Sequence, residues 1–254
     1  MVTAKEEIQE KRYDYPYHYM PFIGRKGFAY RGRFLTWGFE YLCYILHAKE
    51  IIDSLRPTSL LDVGCGTGRF ISLLNPEIKR VLGVDLSPKA ILFAKAFLNN
   101  NREGNIEFLE SDATNINEEF DVVTAIEVLE HIPDQDVHHF LKTLEQIVKP
   151  NGHILISVPT VNYRLIEKHY RHYNYSLLEQ DINKATNSLK ITKVDYVYRE
   201  TKATRLYNFF TANKLYLLES RHLNRIYWNY IWRKLRFSGE HDGKHMVVLI
   251  KKHH

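Results

Sequence analysis

Gly64, Gly66 and Gly68 stand at alternate positions in L-L-D-V-G-C-G-T-G-R-F, directly after a short apolar run. Glycine lets the backbone turn tightly and approach a ligand that a Cβ would keep away. Asp85 closes the next apolar run, R-V-L-G-V-D, 21 residues beyond Gly64. At the end of a second strand a carboxylate can accept hydrogen bonds from ribose hydroxyls. A glycine loop alone is weak evidence, but loop, strand and carboxylate together point to a nucleoside-bearing ligand. Arg69 occupies the position where a dinucleotide fingerprint wants a small residue, and the G-K-[ST] of an ATP loop is absent.

Two further clusters could do acid–base or metal chemistry. In A-I-E-V-L-E-H-I-P, Glu127, Glu130 and His131 fall at i, i+3 and i+4, on one face if a helical turn starts there. Two carboxylates and an imidazole suit a hard or borderline cation, and His131 alone suits a general base for a hydroxyl. In E-K-H-Y-R-H-Y-N-Y, His169 and His172 bracket Tyr170 and Arg171. Their i, i+3 spacing reads as a solvated helix face, with His169 as a base or binding group the other reading.

These residues must be held by the elements around them. From about Ser59 to Val158, apolar runs of strand length alternate with helical periodicity. Pro88 suits the first turn of a helix, and Val137, Phe140, Leu141, Leu144, Ile147 and Val148 follow i, i+3, i+4, i+7. Such alternation implies parallel βαβ units covered on both faces. The expectation is an α/β fold with a doubly wound, mostly parallel seven-stranded sheet. Beyond Pro159, residues 163–187 read as helical. K-I-T-K-V-D-Y-V-Y-R and M-V-V-L-I then read as strands forming an antiparallel C-terminal edge.

The same segments resemble the class I S-adenosylmethionine-dependent methyltransferases. An acidic residue precedes that family's glycines, and Asp62 in D-V-G-C-G-T-G matches. S-D-A, containing Asp112 and Ala113, resembles the segment that contacts the adenine amino group. F-D-V-V-T-A-I-E-V-L-E-H-I-P-D and V-K-P-N-G-H-I-L-I-S-V-P resemble the fourth-strand and fifth-strand segments of the small-molecule and O-methyltransferase branch. The likeness runs in order from Leu60 to Pro159, weakening to Leu178. It implies S-adenosylmethionine as cofactor, held by Asp62, Gly64, Gly66, Gly68, Asp85, Leu86, Asp112, Ala113 and Glu127. It puts His131 and His169 forward as catalytic. Some quinone-pathway O-methyltransferases hold a divalent cation with a set equivalent to Glu127, Glu130 and His131, although relatives with E-V-L-E-H also lack one; no metal ligand is assigned here. Bland roles stay open: Asp62 as a brace for the loop, Gly68 as a packing position, Asp85 as a helix cap, Asp112 as a turn residue. The [DN]-P-P-[YF] of the branch that methylates nucleic-acid amino groups is absent.

The 254 residues carry a net charge of +5, with 44% hydrophobic and 26% charged residues, a globular composition with no run long enough to span a bilayer. Two cysteines make no disulfide framework, and the charged N-terminus does not read as a secretory signal, so a cytoplasmic setting is expected. Charge is concentrated: Arg199 to Arg236 holds nine Lys/Arg against two Asp/Glu. Tyr13 to Tyr44 holds twelve aromatics, and Arg199 to Arg236 eight. The expected organisation is an aromatic N-terminal cap over 1–50 and a methyltransferase domain over 51–254 with a basic, aromatic insert at about 200–238. Within the insert, Leu223, Ile226, Tyr227, Tyr230, Ile231 and Leu235 form one apolar stripe, while Arg221, Arg225, Asn229 and Arg233 line another face. Appendages set the partner on a shared fold. The insert suits a small-molecule, glycan or lipid-linked acceptor, or contact with a membrane surface. Nucleic acid is disfavoured, since no RNA-binding motif accompanies the arginines. The function expected is methyl transfer to oxygen; a tRNA/RNA methyltransferase or a catalytically silent partner subunit are the alternatives.

Overall fold

Neighbouring residues of the apolar runs point to opposite faces, and the chain uses both. Leu60 packs on one side of the sheet and Leu61 on the other, as period-two geometry requires. The computed structural model describes residues 4–10, 21–23, 29–31, 35–98, 104–211 and 220–253. Of the expected N-terminal cap, residues 1–3, 11–20, 24–28 and 32–34, and with them the aromatics from Tyr13 to Tyr19, lie outside the described residues.

In chain order the elements begin with α1 (Ala4–Glu10), the antiparallel pair β1 (Pro21–Ile23) and β2 (Ala29–Arg31), and α2 (Leu35–Leu55). Next come β3 (Ser59–Val63), β4 (Arg80–Asp85), α3 (Pro88–Leu98), β5 (Ile106–Glu110), β6 (Phe120–Ile126), α4 (Val137–Ile147) and β7 (Val148–Pro159). The chain continues through α5 (Tyr175–Ala185), β8 (Leu189–Arg199), α6 (Lys202–Thr211) and α7 (Arg221–Tyr230). A π-helical turn at Ile231–Leu235 leads to β9 (Phe237–Ser238) and β10 (Gly243–Lys252). The main sheet has the order β5-β4-β3-β6-β7-β10-β8-β9. From β5 to β7 the strands are parallel; β10 lies antiparallel between β7 and β8. The expected seven strands are all present. An eighth, the two-residue β9, joins the edge of β8.

Order reverses between β3 and β6, and loops leaving the carboxyl ends of adjacent strands diverge there. That divergence opens a crevice, the usual place for a ligand in an open α/β sheet. Helix α4 covers one face and buries Val137, Leu141, Leu144 and Ile147, each worth roughly 1.5–3 kcal/mol when removed from water. Helix α2 covers the other face together with the end of the insert: Phe39 stacks on Trp228 and meets Tyr227 edge-on.

Two expectations need correction. Helix does not extend over 163–187 but is confined to α5. Asn174 caps it by accepting the Leu177 N–H at 2.8 Å. Upstream, the chain is held in irregular form by bonds to other elements: Tyr170 N–H donates to Glu130 C=O at 2.8 Å, and Val161 N–H to Tyr173 C=O at 3.0 Å. The insert's single apolar stripe also divides. Tyr227, Ile231 and Leu235 are buried, while Leu223, Ile226 and Tyr230 are exposed. Six apolar residues span about half the helix circumference at 100° per residue, wider than the surface that receives them.

Candidate functional site

The loop after β3 is shaped by its glycines. Gly64, Gly66 and Gly68 have φ of 69°, 52° and 73°, left-handed values that a Cβ penalises. A Cβ on Gly64 would meet Val128 Cγ2 at 2.6 Å, and one on Gly68 would meet Leu98 Cδ1 at 2.7 Å. Gly68 therefore serves helix–strand packing as well as the turn. Gly64 is exposed at the crest and Gly66 half-buried, which leaves this stretch of backbone open to a ligand.

Asp85 Oδ2 accepts the Gly66 N–H at 2.8 Å, and Oδ1 accepts the Ser87 N–H at 2.9 Å. Ser87, not Asp85, caps α3, its Oγ accepting from the Ala90 N–H at 3.1 Å. Beside it Leu86 is 66% exposed. Asp62 is buried and accepts the Thr124 hydroxyl at 2.6 Å. Burial pushes its carboxyl up to about 7, against the Thr124 bond and with the Asp85 charge. Asp62 thus braces β3 against β6 rather than bonding the loop's N–H groups. Asp112 is exposed, and its Oδ1 accepts both the N–H and the hydroxyl of Thr114 at 2.8 Å; Ala113 is buried behind it.

At the end of β6, Glu127 has φ 56°, a strained position for a residue with a Cβ. Its N–H donates to Ser157 C=O at 2.8 Å, and its Oε1 accepts from Ser157 Oγ at 2.7 Å and His245 Nδ1 at 3.1 Å. Turning aside in this way, Glu127 leaves the set expected with Glu130 and His131. His169 joins them instead. Glu130, His131 and His169 each place one donor atom within 4.8 Å of the others, so among the described residues these three could hold a cation.

Their protons can be followed. His131 Nδ1 lies 3.2 Å from Lys168 C=O, so Nδ1 carries the proton and Nε2 keeps a lone pair, 3.3 Å from Lys168 Nζ. By the same reasoning His172 Nδ1 donates to Tyr163 C=O at 2.9 Å, and His169 Nδ1 donates to His172 Nε2 at 2.8 Å. His169 and His172 are buried, not a solvated face. Burial lowers the His172 imidazole, keeping it neutral. Glu130 is only 1% exposed, and burial together with the Glu127 charge raises its carboxyl well above the usual range.

The family model described as a methyltransferase domain matches residues 35–218. The chain belongs to the methyltransferase-domain family. Among curated relatives, the ubiquinone biosynthesis O-methyltransferase of Acinetobacter baylyi is 31% identical over 117 residues, 44% of this chain and 48% of that protein. Its Coxiella burnetii counterpart is 34% identical over 117 residues, 44% and 47% of the two chains. This chain spans about half the length of the curated relatives it matches. The N-methyltransferase NodS of Bradyrhizobium japonicum, in complex with S-adenosyl-L-homocysteine, has a TM-score of 0.55 at 14% identity. The match covers 84% of this chain and 86% of that one. An S-adenosylmethionine-dependent methyltransferase of Archaeoglobus fulgidus gives 0.55 at 17% identity over 82% and 93%. The fold is that of the class I S-adenosylmethionine-dependent methyltransferases.

Within this methyltransferase-domain protein, sequence reasoning missed Glu40 of α2, Ser157 of β7 and His245 of β10. Each reaches Glu127 or its partner from a distant part of the chain. Ser157 sits in the I-S-V-P run already read as a strand, where a polar residue among apolar neighbours was the available signal. Nothing local marked Glu40 or His245.

Proposed function

We propose that the chain binds S-adenosylmethionine and transfers its methyl group to an oxygen of a small-molecule acceptor. What supports this is the placement of the left-handed glycine loop, Asp85, Leu86 and the Glu127 turn together at the carboxyl ends of β3, β4 and β6. That is the crevice where strand order reverses. The open crest at Gly64 fits a ligand lying close to backbone, and Asp85 fits a ribose diol. When bound, S-adenosylmethionine supplies an electrophilic methyl group on a sulfonium, which is displaced in line.

The protein's share is orientation and a proton. An acceptor held at about 3–3.5 Å from the methyl carbon gains most of what an enzyme can give this reaction. A hydroxyl of high pKa also needs a base. His131 Nε2 carries the lone pair for that, with Nδ1–H fixed on Lys168 C=O. As the acceptor oxygen forms its bond to methyl, its proton passes to His131 Nε2. His169 and Glu130 border this position and form the acceptor side of the cleft.

The test is methyl release from labelled S-adenosylmethionine on hydroxylated small molecules, on tRNA, and on either with candidate partner proteins. Turnover on the small molecules alone supports the reading. Turnover confined to RNA, or to mixtures with a partner, replaces it with one of the alternatives.

A second reading concerns the membrane. No described helix is long and apolar enough to cross one. Yet α6 exposes Leu206, Phe209 (63%) and Phe210, and α7 exposes Leu223, Ile226 (67%) and Tyr230. Arg205, Arg225 and Arg233 are exposed alongside. Apolar side chains flanked by cations suit a surface of anionic lipid, which would also present a lipid-linked acceptor.

A further inference from the structure

The bond from His245 to Glu127 is one half of a buried clamp. His245 is buried on β10; its Nδ1 donates to Glu127 Oε1 at 3.1 Å and its Nε2 donates to Glu40 Oε1 at 2.8 Å. Donating from both nitrogens makes the ring a cation between two carboxylates. Burial alone would lower its pKa, but the Glu127 charge and the two hydrogen bonds hold it up at about 10. Burial likewise would raise Glu127, yet the His245 charge and the bonds from His245 and Ser157 keep it below the usual range. Tyr44 lies over the imidazole, ring centroids 4.4 Å apart. Around the clamp, Glu130, Lys168, His172 and Tyr163 face its Glu127–His245 side, and Cys43 and Tyr198 lie near Glu40.

Two carboxylates and one imidazolium leave one net negative charge. Both hydrogen bonds to Glu127 converge on Oε1, while the side chain stays 20% exposed. No bond from a described residue reaches Oε2. Val128, the next residue, packs where a Cβ on Gly64 would sit, so the backbone that carries Glu127 runs beside the crest of the glycine loop. The strained backbone at Glu127 is held by the same partners, since its N–H is tied to Ser157.

We infer that Glu40 and His245 are positioning residues for the donor site: they fix Glu127 so that Oε2 meets a cationic group of the bound nucleoside. This rests on the proposed function, because the ligand is taken to be S-adenosylmethionine. Two cations on that molecule share the chemistry, the amino acid ammonium and the sulfonium.

Calorimetry with three ligands separates them. S-Adenosylmethionine has both cations, S-adenosylhomocysteine only the ammonium, and 5′-methylthioadenosine neither. Glu127→Gln sets the scale; a lost charge-assisted hydrogen bond should weaken S-adenosylmethionine by about tenfold or more. His245→Gln and Glu40→Gln are expected to reproduce that loss in part, with 5′-methylthioadenosine unchanged in all three variants. Loss for S-adenosylmethionine alone assigns the sulfonium, and loss shared with S-adenosylhomocysteine assigns the ammonium; either supports the inference. Equal loss for all three ligands means a merely structural role, and no loss or a gain means no role; either overturns it. Should His245→Gln fail to fold, Glu40→Gln at the partly exposed end of the clamp carries the same test. A wild-type protein that binds none of the three overturns the proposed function, and this inference with it.

Discussion

Asp85 accepts a 2.8 Å hydrogen bond from the N–H of Gly66, so the carboxylate read as a ribose ligand also ties the glycine loop to the end of β4. Gly66 donates to one of its oxygens and Ser87 to the other, and a carboxylate has about four acceptor sites in all. Anchoring and ligand binding are therefore compatible in one side chain. Asp85→Ala removes both, and affinity for S-adenosylmethionine should fall by about 1.5–3 kcal/mol, roughly ten- to 150-fold. Wild-type affinity for that variant by calorimetry would take Asp85 out of the site.

The proton assignments around His131 separate base catalysis from metal catalysis. With Nδ1–H on Lys168 C=O, the lone pair is on Nε2, where Lys168 Nζ faces it at 3.3 Å, so base catalysis requires the substrate hydroxyl to displace that ammonium. His131→Ala is expected to lower turnover by about 10²–10⁴ with cofactor affinity nearly intact, and activity should survive a chelator. Activity lost in chelator and restored by a divalent ion would instead make Glu130, His131 and His169 a cation site.

The clamp also gives stability a pH dependence. His245 is raised from 6.5 to about 10. Its contribution is therefore complete below pH 6.5 and lost as pH rises through 10. Asp62, raised from 3.8 to about 7, loses its contribution at lower pH, so most of its effect is over before His245 titrates. Between pH 7 and 10 the unfolding free energy should drop by on the order of a few kcal/mol, and much less in His245→Gln. Denaturant melts with the same slope in both proteins would show that the imidazolium contributes nothing.

If the exposed faces of α6 and α7 rest on lipid, the full chain should sediment with vesicles containing phosphatidylglycerol and come off as salt is raised. The double variant Phe209→Ser, Phe210→Ser should lose the apolar part, and Arg225→Gln, Arg233→Gln the salt-sensitive part. Wild-type protein left in the supernatant, or variants that bind as well as it does, would end the membrane reading. Deleting Thr204 to Arg236 is not a usable test. Tyr227, Ile231 and Leu235 are buried against the domain, and at roughly 1.5–3 kcal/mol each their loss would unfold it.

What could be read ahead of the structure was local. Leu60 to Asp85 announces strand, turn and carboxylate within one short stretch, because period-two burial and glycine's freedom both act between near neighbours. His131 and His169 were singled out separately, but their convergence depends on Tyr170 bonding back to Glu130, which no periodicity encodes. The clamp was out of reach for the same reason. Glu40 and His245 are 205 positions apart, joined only because β10 inserts between β7 and β8. The insert misled for a different reason: an apolar stripe shows which residues could be buried, not how wide a surface will receive them.

The central claim is that the loop after β3 and Asp85 hold the nucleoside of S-adenosylmethionine. Isothermal titration of the wild-type chain tests it most directly, with S-adenosylmethionine, S-adenosylhomocysteine and NAD injected in separate runs. The account predicts one site for each of the first two and no heat of binding for NAD, because Arg69 stands where a dinucleotide fingerprint wants a small residue. NAD bound as tightly as S-adenosylmethionine, or no binding of either adenosyl ligand, would contradict it.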